Sequence, residues 1–209
     1  MSQSAYSNWD RKAATERALK TADDNSKSST TDGYIYNFAF GSNLNPNKVK
    51  SRKMSPTQTL RGKLPNWQLL FNHNGGYGNI EQTEIAQNLD VSRLSNNKKG
   101  TPQPNEVHGV VLKLSRTEFA QMAWEEYAYN SILVPITIYP EDVPSVDASI
   151  RKGEAPHIIH AIAFKTHPCA ITTPTTLPSK RYIQLIQDGA KQSGIQQSYC
   201  DWLSQIPSS

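Results

Sequence analysis

The sequence has only two cysteines in 209 residues, Cys169 and Cys200, and they lie 31 positions apart. This number and spacing fit neither a disulfide framework nor a zinc or redox site. No segment approaches the ~18 apolar residues of a membrane-spanning helix. The N-terminal residues lack the apolar centre of a secretory signal and mix acidic with basic side chains, unlike a transit peptide. We therefore expect a cytoplasmic protein.

Basic side chains only slightly outnumber acidic ones, at 22 against 18. The surplus lies largely between Lys48 and Lys63, where six basic residues occur without an acidic one. Such a run is most often a solvated helix or loop face, and its functional alternative is a patch that attracts anions. Because no aromatic residues are interleaved with these charges, the run does not resemble a platform on which single strands stack, and we do not expect nucleic acid to be the main partner.

The usual signatures of metal and nucleophile chemistry are also missing. His157 and His160 lie three apart in a predicted strand, so they point to opposite faces and cannot hold one metal ion together. The sequence has no G-x-S-x-G motif, and residues 75–78 (GGYG) lack the spacing of a dinucleotide- or phosphate-binding loop. We therefore expect neither a metal ion nor another cofactor.

The chain divides into a polar N-terminal segment and a longer part with regular patterns. Residues 1–32 contain few large apolar side chains, so we expect a disordered or loosely attached tail with a short helix at Arg11–Leu19. Residues 33–209 are expected to form a single domain, with an exposed polar insertion at 92–106. Five segments predict strands: Tyr34–Phe40, Asn66–Asn72, Val107–Leu114, Ser131–Tyr139 and Ile158–Lys165.

Capping residues mark the predicted helices. Ser115 opens a capping box for a helix that ends near Glu126, and Ser179 begins a second helix that ends before Gly194. A last short helix is predicted at Gln197–Ile206. Because strands dominate the middle of the chain without regular strand–helix alternation, the pattern favours an α+β domain over a doubly wound parallel sheet.

One candidate for chemistry is the turn after the first predicted strand. The strand breaks into Gly41-Ser42-Asn43, where successive backbone N–H groups can turn toward one point. Such a group of donors binds an anion or a developing oxyanion. The alternative is an ordinary turn without a ligand.

A second candidate is Glu126, at the end of the helix opened by Ser115. It lies four residues after Met122 and seven after Phe119, on the apolar face, whereas Glu125 falls on the polar face. Apolar surroundings and the negative helix end both favour a protonated carboxyl group, which suits an acid/base residue. The alternative is a frayed helix end with both glutamates in water.

Four segments in order along the chain resemble the gamma-glutamylcyclotransferase family. The first is Phe38–Leu44 (FAFGSNL), close to that family's aromatic-Ala-aromatic-Gly-Ser-Asn-Leu signature. The second is Leu64–Asn72, ahead of the Gly-rich loop, and the third is Glu106–Leu114, followed by the helix that ends in glutamate. The fourth extends from Pro178 to Leu203, so that the resemblance covers most of the chain after the polar segment.

The resemblance implies a mixed, barrel-like β core flanked by helices, and a cofactor-independent enzyme of the lyase or acyltransferase class. In the implied reaction, which belongs to glutathione metabolism, the α-amine of a γ-glutamyl group attacks its own γ-carbonyl. This releases 5-oxoproline and a free amine or amino acid. Glu126 would be the acid/base residue. The implied substrate-binding residues are Phe38, Ala39, Phe40, Gly41, Ser42, Asn43 and Tyr182.

The sequence departs from the family at two points. Glu126 is followed by a short, glycine-free connection (residues 127–129) where the family usually has a glycine-containing loop, and Phe40 replaces a more usual tyrosine. Two alternatives stay open: a non-catalytic member of the fold that binds a ligand or partner, and an enzyme that transfers a γ-glutamyl group on a larger metabolite. The expected partner is a small γ-glutamyl molecule and not a membrane, and a homodimer is left open.

Overall fold

The computed structural model describes residues 8–24, 33–87, 103–146, 157–173 and 176–209. Five strands of this part close into a barrel, and the other two pair in a separate hairpin. The seven strands are β1 (Tyr34–Ala39), β2 (Gln58–Pro65), β3 (Trp67–His73), β4 (Tyr77–Gln82), β5 (Glu106–Ser115), β6 (Tyr129–Ile138) and β7 (Ile158–Thr166). The barrel order is β1-β5-β2-β6-β7, with β1 and β7 parallel and the other pairs antiparallel. The predicted barrel-like α+β fold is confirmed.

Helices flank the barrel on several sides. Within the described residues they are α1 (Asn8–Asp23), α2 (Pro46–Ser51), α3 (Thr83–Ala86), α4 (Arg116–Glu125), α5 (Lys180–Gln192) and α6 (Gln197–Ser204). Ser115 caps α4 with the complete capping box, Ser179 caps α5, and Gly194 after α5 has a φ of 66°, which glycine tolerates. None of these helices is both long enough and apolar enough to cross a membrane.

A close approach of β5 to β1 sets the position of the turn that follows β1. A Cβ atom at Gly109 in β5 would lie 2.4 Å from the carbonyl oxygen of Ala39 and 2.8 Å from the Phe38 ring. Glycine is therefore the residue that lets the end of β1 lie flat against β5. All residues of β5 from Val107 to Leu112 are buried, so this end of β1 rests on a packed core.

The basic run between Lys48 and Lys63 is not a simple solvated face. Its second half forms β2, in which buried Leu60, Gly62 and Leu64 alternate with charged residues. Arg61 pairs with Asp142 at 2.6 Å, and Lys63 pairs with Glu106 at 3.0 Å. The charges of this strand are therefore neutralised by acidic residues that are distant in the sequence.

The N-terminal helix is longer and better packed than the sequence analysis expected. The side chains of Ala14, Ala18 and Ala22 are buried along one face of α1, which packs against α4 and β6. Asp23 also accepts from both terminal nitrogens of Arg116, at 2.5 and 2.8 Å. Small alanines allow this close packing, so an expectation based on large apolar side chains missed it. The rest of the predicted tail and most of the predicted insertion lie outside the described residues.

Candidate active site

A pocket of about 400 Å³ lies beside the end of β1. Its walls come from the turn after β1, the hairpin of β3 and β4, the connection between α4 and β6, and the start of α5. The structure brings together in this pocket every residue that the sequence analysis assigned to the site: Phe38, Ala39, Phe40, Gly41, Ser42, Asn43, Glu126 and Tyr182. Their roles toward a substrate stay predictions.

The turn after β1 is a single turn of 3-10 helix, Ser42–Leu44. Leu44 donates its N–H to the Gly41 carbonyl at 3.0 Å, which fixes the turn. The first N–H groups of such a helix have no intrahelical acceptor. Those of Ser42 and Asn43 have no acceptor in the described part of the chain, and both residues line the pocket. The turn can therefore present donors to a negatively charged atom.

Glu126 directly follows the last residue of α4, and its N–H still donates to the Met122 carbonyl at 3.0 Å. Its carboxylate oxygen Oε1 accepts from Asn43 Nδ2 at 3.1 Å and from Arg52 Nη1 at 3.0 Å. The same Arg52 nitrogen donates to Asn43 Oδ1 at 2.7 Å. This closed triangle of contacts fixes the Glu126 carboxylate within the pocket.

Arg52 is the residue of this site that the sequence analysis missed. Its guanidinium lies between two carboxylates, because Nε is 2.7 Å from Glu125 Oε2 while Nη1 contacts Glu126. Glu126 is therefore a paired carboxylate, because an arginine and an amide side chain meet it at the end of the apolar helix face. The only sequence signal for Arg52 was its place in the basic run, and that signal does not distinguish it from its neighbours.

Tyr182 forms the opposite wall through close contact with two glycines. Its hydroxyl accepts the N–H of Gly78 at 3.0 Å, and a Cβ at Gly78 or Gly41 would lie 3.1 or 3.2 Å from that oxygen. Burial raises the pKa of the Tyr182 hydroxyl, and the negative charge of Glu126 raises it further. Tyr182 therefore keeps its proton and can donate a hydrogen bond to a bound ligand.

His73 and Tyr129 also line the pocket. Their rings stack with centroids 4.4 Å apart, and Tyr77 meets His73 edge-on at 6.0 Å. Burial lowers the pKa of His73 and raises that of Tyr129, so both side chains are neutral near pH 7. The charged side chains that line the pocket are therefore Lys48, Arg52, Glu125 and Glu126.

Comparisons with known proteins identify the fold. No protein-family model matches the chain, and no curated protein matches it either. Among solved structures, an uncharacterized human protein is similar with a TM-score of 0.60 at 20% identity, over 85% of this chain and 90% of that one. A gamma-glutamyl cyclotransferase is similar with a TM-score of 0.59 at 19% identity, over 84% of this chain and 89% of that one.

A third solved structure, a yeast gamma-glutamyl cyclotransferase specific to glutathione, is similar with a TM-score of 0.56. It is 12% identical, over 83% of this chain and 96% of that one. At such identities the similarity concerns the fold, and a fold can carry different activities. The activity has to be argued from the pocket.

Proposed function

From the gamma-glutamyl cyclotransferase fold of this chain, we propose that it converts a γ-glutamyl amino acid or γ-glutamyl amine to 5-oxoproline and the free amine. The observation that carries this proposal is the Glu126 carboxylate, fixed by Asn43 and Arg52 in a pocket beside a turn with available N–H groups. An intramolecular acyl transfer needs a positioned base and donors for a developing oxyanion. Both requirements meet here within one small cavity.

In the proposed reaction, Glu126 takes a proton from the substrate's α-ammonium group. The freed nitrogen attacks the γ-carbonyl carbon, which closes the five-membered ring. The N–H groups of Ser42 and Asn43 stabilise the negative charge that develops on the carbonyl oxygen. As the original amide bond breaks, Glu126 gives its proton to the leaving nitrogen. It then takes the extra proton from the ring nitrogen, which leaves the lactam N–H of 5-oxoproline, and passes that proton to the released amine. The leaving nitrogen departs as an ammonium ion, and Glu126 ends in its starting form.

Two neighbouring side chains support the role of Glu126 by holding its carboxylate in place. Arg52 supplies the positive charge that an enclosed carboxylate requires, and Asn43 holds the same oxygen from the turn. Tyr182, which keeps its proton, donates to the bound γ-glutamyl group. Aromatic walls limit the water around the substrate and thereby strengthen these polar contacts.

The test is 5-oxoproline formation from a panel of γ-glutamyl dipeptides, glutathione and γ-glutamyl amines. Glu126→Gln keeps the shape of the side chain and an oxygen that can accept from Asn43 and Arg52, but it removes the base, so we expect kcat to fall by about 10²–10⁴-fold. Glu125→Gln is the matched control, because Glu125 shares Arg52 yet has a side chain that is 34% exposed against 16% for Glu126. We expect it to lose no more than about tenfold.

The outcomes separate the alternatives. Full activity of Glu126→Gln would refute the assignment of the base, and a selective loss in Glu125→Gln would move that role to Glu125. Saturable binding of the panel without any 5-oxoproline would favour a non-catalytic member of the fold. Release of the amine without 5-oxoproline would favour transfer of the γ-glutamyl group to another acceptor.

A further inference from the structure

A second cavity adjoins the candidate active site. It is a groove of about 610 Å³ between α2 and α5, and most of the residues that line it carry polar or charged side chains. Two residues, Lys48 of α2 and Leu185 of α5, line both the groove and the active-site pocket. A molecule that extends from the pocket into the groove would therefore lie beside these two residues.

Lys48 brings a positive charge to this junction that no acidic residue of the described chain neutralises in an ion pair. Arg52, one helical turn further along, differs in this respect because its guanidinium is engaged by two carboxylates. The acidic residue of the groove, Asp188, accepts a hydrogen bond from Gln184 at 2.8 Å. The junction therefore offers an anion the ammonium group of Lys48, a half-buried residue without an ion-pair partner in the described part of the chain.

The backbone around Lys48 is held firmly on both sides of the groove. Asn45 caps α2, and its Oδ1 accepts the Lys48 N–H at 3.3 Å. Asn47 donates to Gln192 of α5 at 3.1 Å across the groove. A Cβ at Gly189 of α5 would lie 2.7 Å from Asn45, so this glycine lets the two elements approach closely. Lys48 therefore extends from a fixed helix and not from a loose loop.

We propose, resting on the proposed function, that Lys48 binds a carboxylate on the leaving part of the substrate. The preferred substrate class is then γ-glutamyl amino acids and γ-glutamyl peptides, and not simple γ-glutamyl amines. The argument is one of position: with the γ-glutamyl group beside Glu126, a leaving part that extends into the adjoining groove reaches Lys48, which lines both cavities. Arg181, which also lines the groove, adds a second positive charge for a longer leaving peptide.

The decisive experiment compares two matched substrates, γ-glutamylalanine and γ-glutamylalaninamide, which differ only in the terminal carboxylate. We expect the wild-type protein to favour γ-glutamylalanine by about tenfold in kcat/KM, through KM. Lys48→Met should remove this preference by raising KM for γ-glutamylalanine alone. Lys50→Met is the control, because Lys50 is an exposed residue of the same helix and lines neither cavity. It should behave as wild type.

A charge-reversal variant of Lys48 predicts a gain of activity on one substrate as well as a loss on another. Lys48→Glu should lose activity on γ-glutamylalanine and gain several-fold on a γ-glutamyl diamine, whose leaving part carries an ammonium group. An equal loss by Lys48→Met on both matched substrates would overturn the proposal, because it would place Lys48 on the γ-glutamyl half or in a structural role. Equal treatment of both substrates by the wild-type protein would also overturn it.

Binding separates this proposal from the proposed reaction. Calorimetry with the Glu126→Gln protein measures the affinity for both substrates without turnover. Tenfold tighter binding of γ-glutamylalanine that Lys48→Met abolishes would support the Lys48 contact even where the wild-type protein forms no 5-oxoproline. Binding of neither substrate would overturn the proposal, and equal binding of both together with normal turnover would overturn it while leaving the proposed function intact.

Discussion

Replacing Arg52 with methionine tests whether its guanidinium holds Glu126 in place. The Arg52 and Glu126 side chains are 12% and 16% exposed, so the substitution leaves an enclosed carboxylate whose remaining side-chain donor, among the residues that the structure describes, is Asn43. Loss of one partner of a buried ion pair destabilises a protein by about 3–5 kcal/mol. The more exposed contact with Glu125 adds less than about 1 kcal/mol. Because both partners of the buried pair keep some solvent contact, we expect a loss of about 2–4 kcal/mol in the free energy of unfolding.

The double variant Arg52→Met with Glu126→Gln isolates the interaction. With no charge left on either side, it should be more stable than Arg52→Met alone, with a coupling free energy of about 1–3 kcal/mol between the two sites. Equilibrium unfolding in urea measures all four proteins. Arg181→Met is the control, since Arg181 is exposed, and it should change stability by less than about 0.5 kcal/mol. Equal destabilisation by Arg52→Met with and without the Glu126 carboxylate would refute the reasoning.

Two further predictions concern Tyr182 and a buried histidine. Gly78→Ala places a Cβ 3.1 Å from the Tyr182 hydroxyl, so we expect kcat/KM to fall about tenfold. In a Tyr182→Phe background, the same substitution should have little further effect on kcat/KM. A tenfold loss in that background as well would contradict the contact. Burial lowers the pKa of His108 from the ordinary value of 6.5, although the hydrogen bond and the charge of Glu106 oppose this shift. As the pH falls, the unfolded chain therefore binds a proton at this histidine before the folded chain does. Stability should therefore decline on acidification from neutral pH, and thermal unfolding of His108→Gln should show a smaller decline; an identical pH dependence would contradict this.

The sequence was sufficient to predict five of the seven described strands and to place the capped helices α4 and α5. It was not sufficient for β2, although that strand alternates between buried and partly exposed residues. Two features obscure its strand pattern in the sequence. Its outer face carries the charged residues Arg61 and Lys63, and one of its inward positions is Gly62, which has no apolar side chain. A Cβ at Gly62 would lie 2.5 Å from an Ile136 methyl group, so the close approach of β6 requires glycine there. That requirement belongs to the packing of the barrel and has no local signal.

The same distinction between local sequence patterns and contacts between distant residues applies to the candidate site. The turn at Gly41–Asn43 and the position of Glu126 could be predicted because each depends on one short segment: a strand that breaks, and a helix face with its end. Arg52 could not be predicted, because its contact with Glu126 joins residues 74 positions apart. The contact depends on how α2 packs against the end of α4, and a run of six basic residues contains no information about that packing.

Asn43 explains why the two predicted halves of the site belong together. Its amide donates to the Glu126 carboxylate and at the same time accepts from Arg52, while its backbone is part of the turn that presents N–H groups to the pocket. An ionised aspartate at this position could not donate to Glu126, and a lysine could not accept from Arg52. The amide of asparagine does both. One residue thus fixes the distance between the proposed base and the proposed oxyanion donors. The ion pair of Glu126 with Arg52 therefore bears on both parts of the proposed reaction.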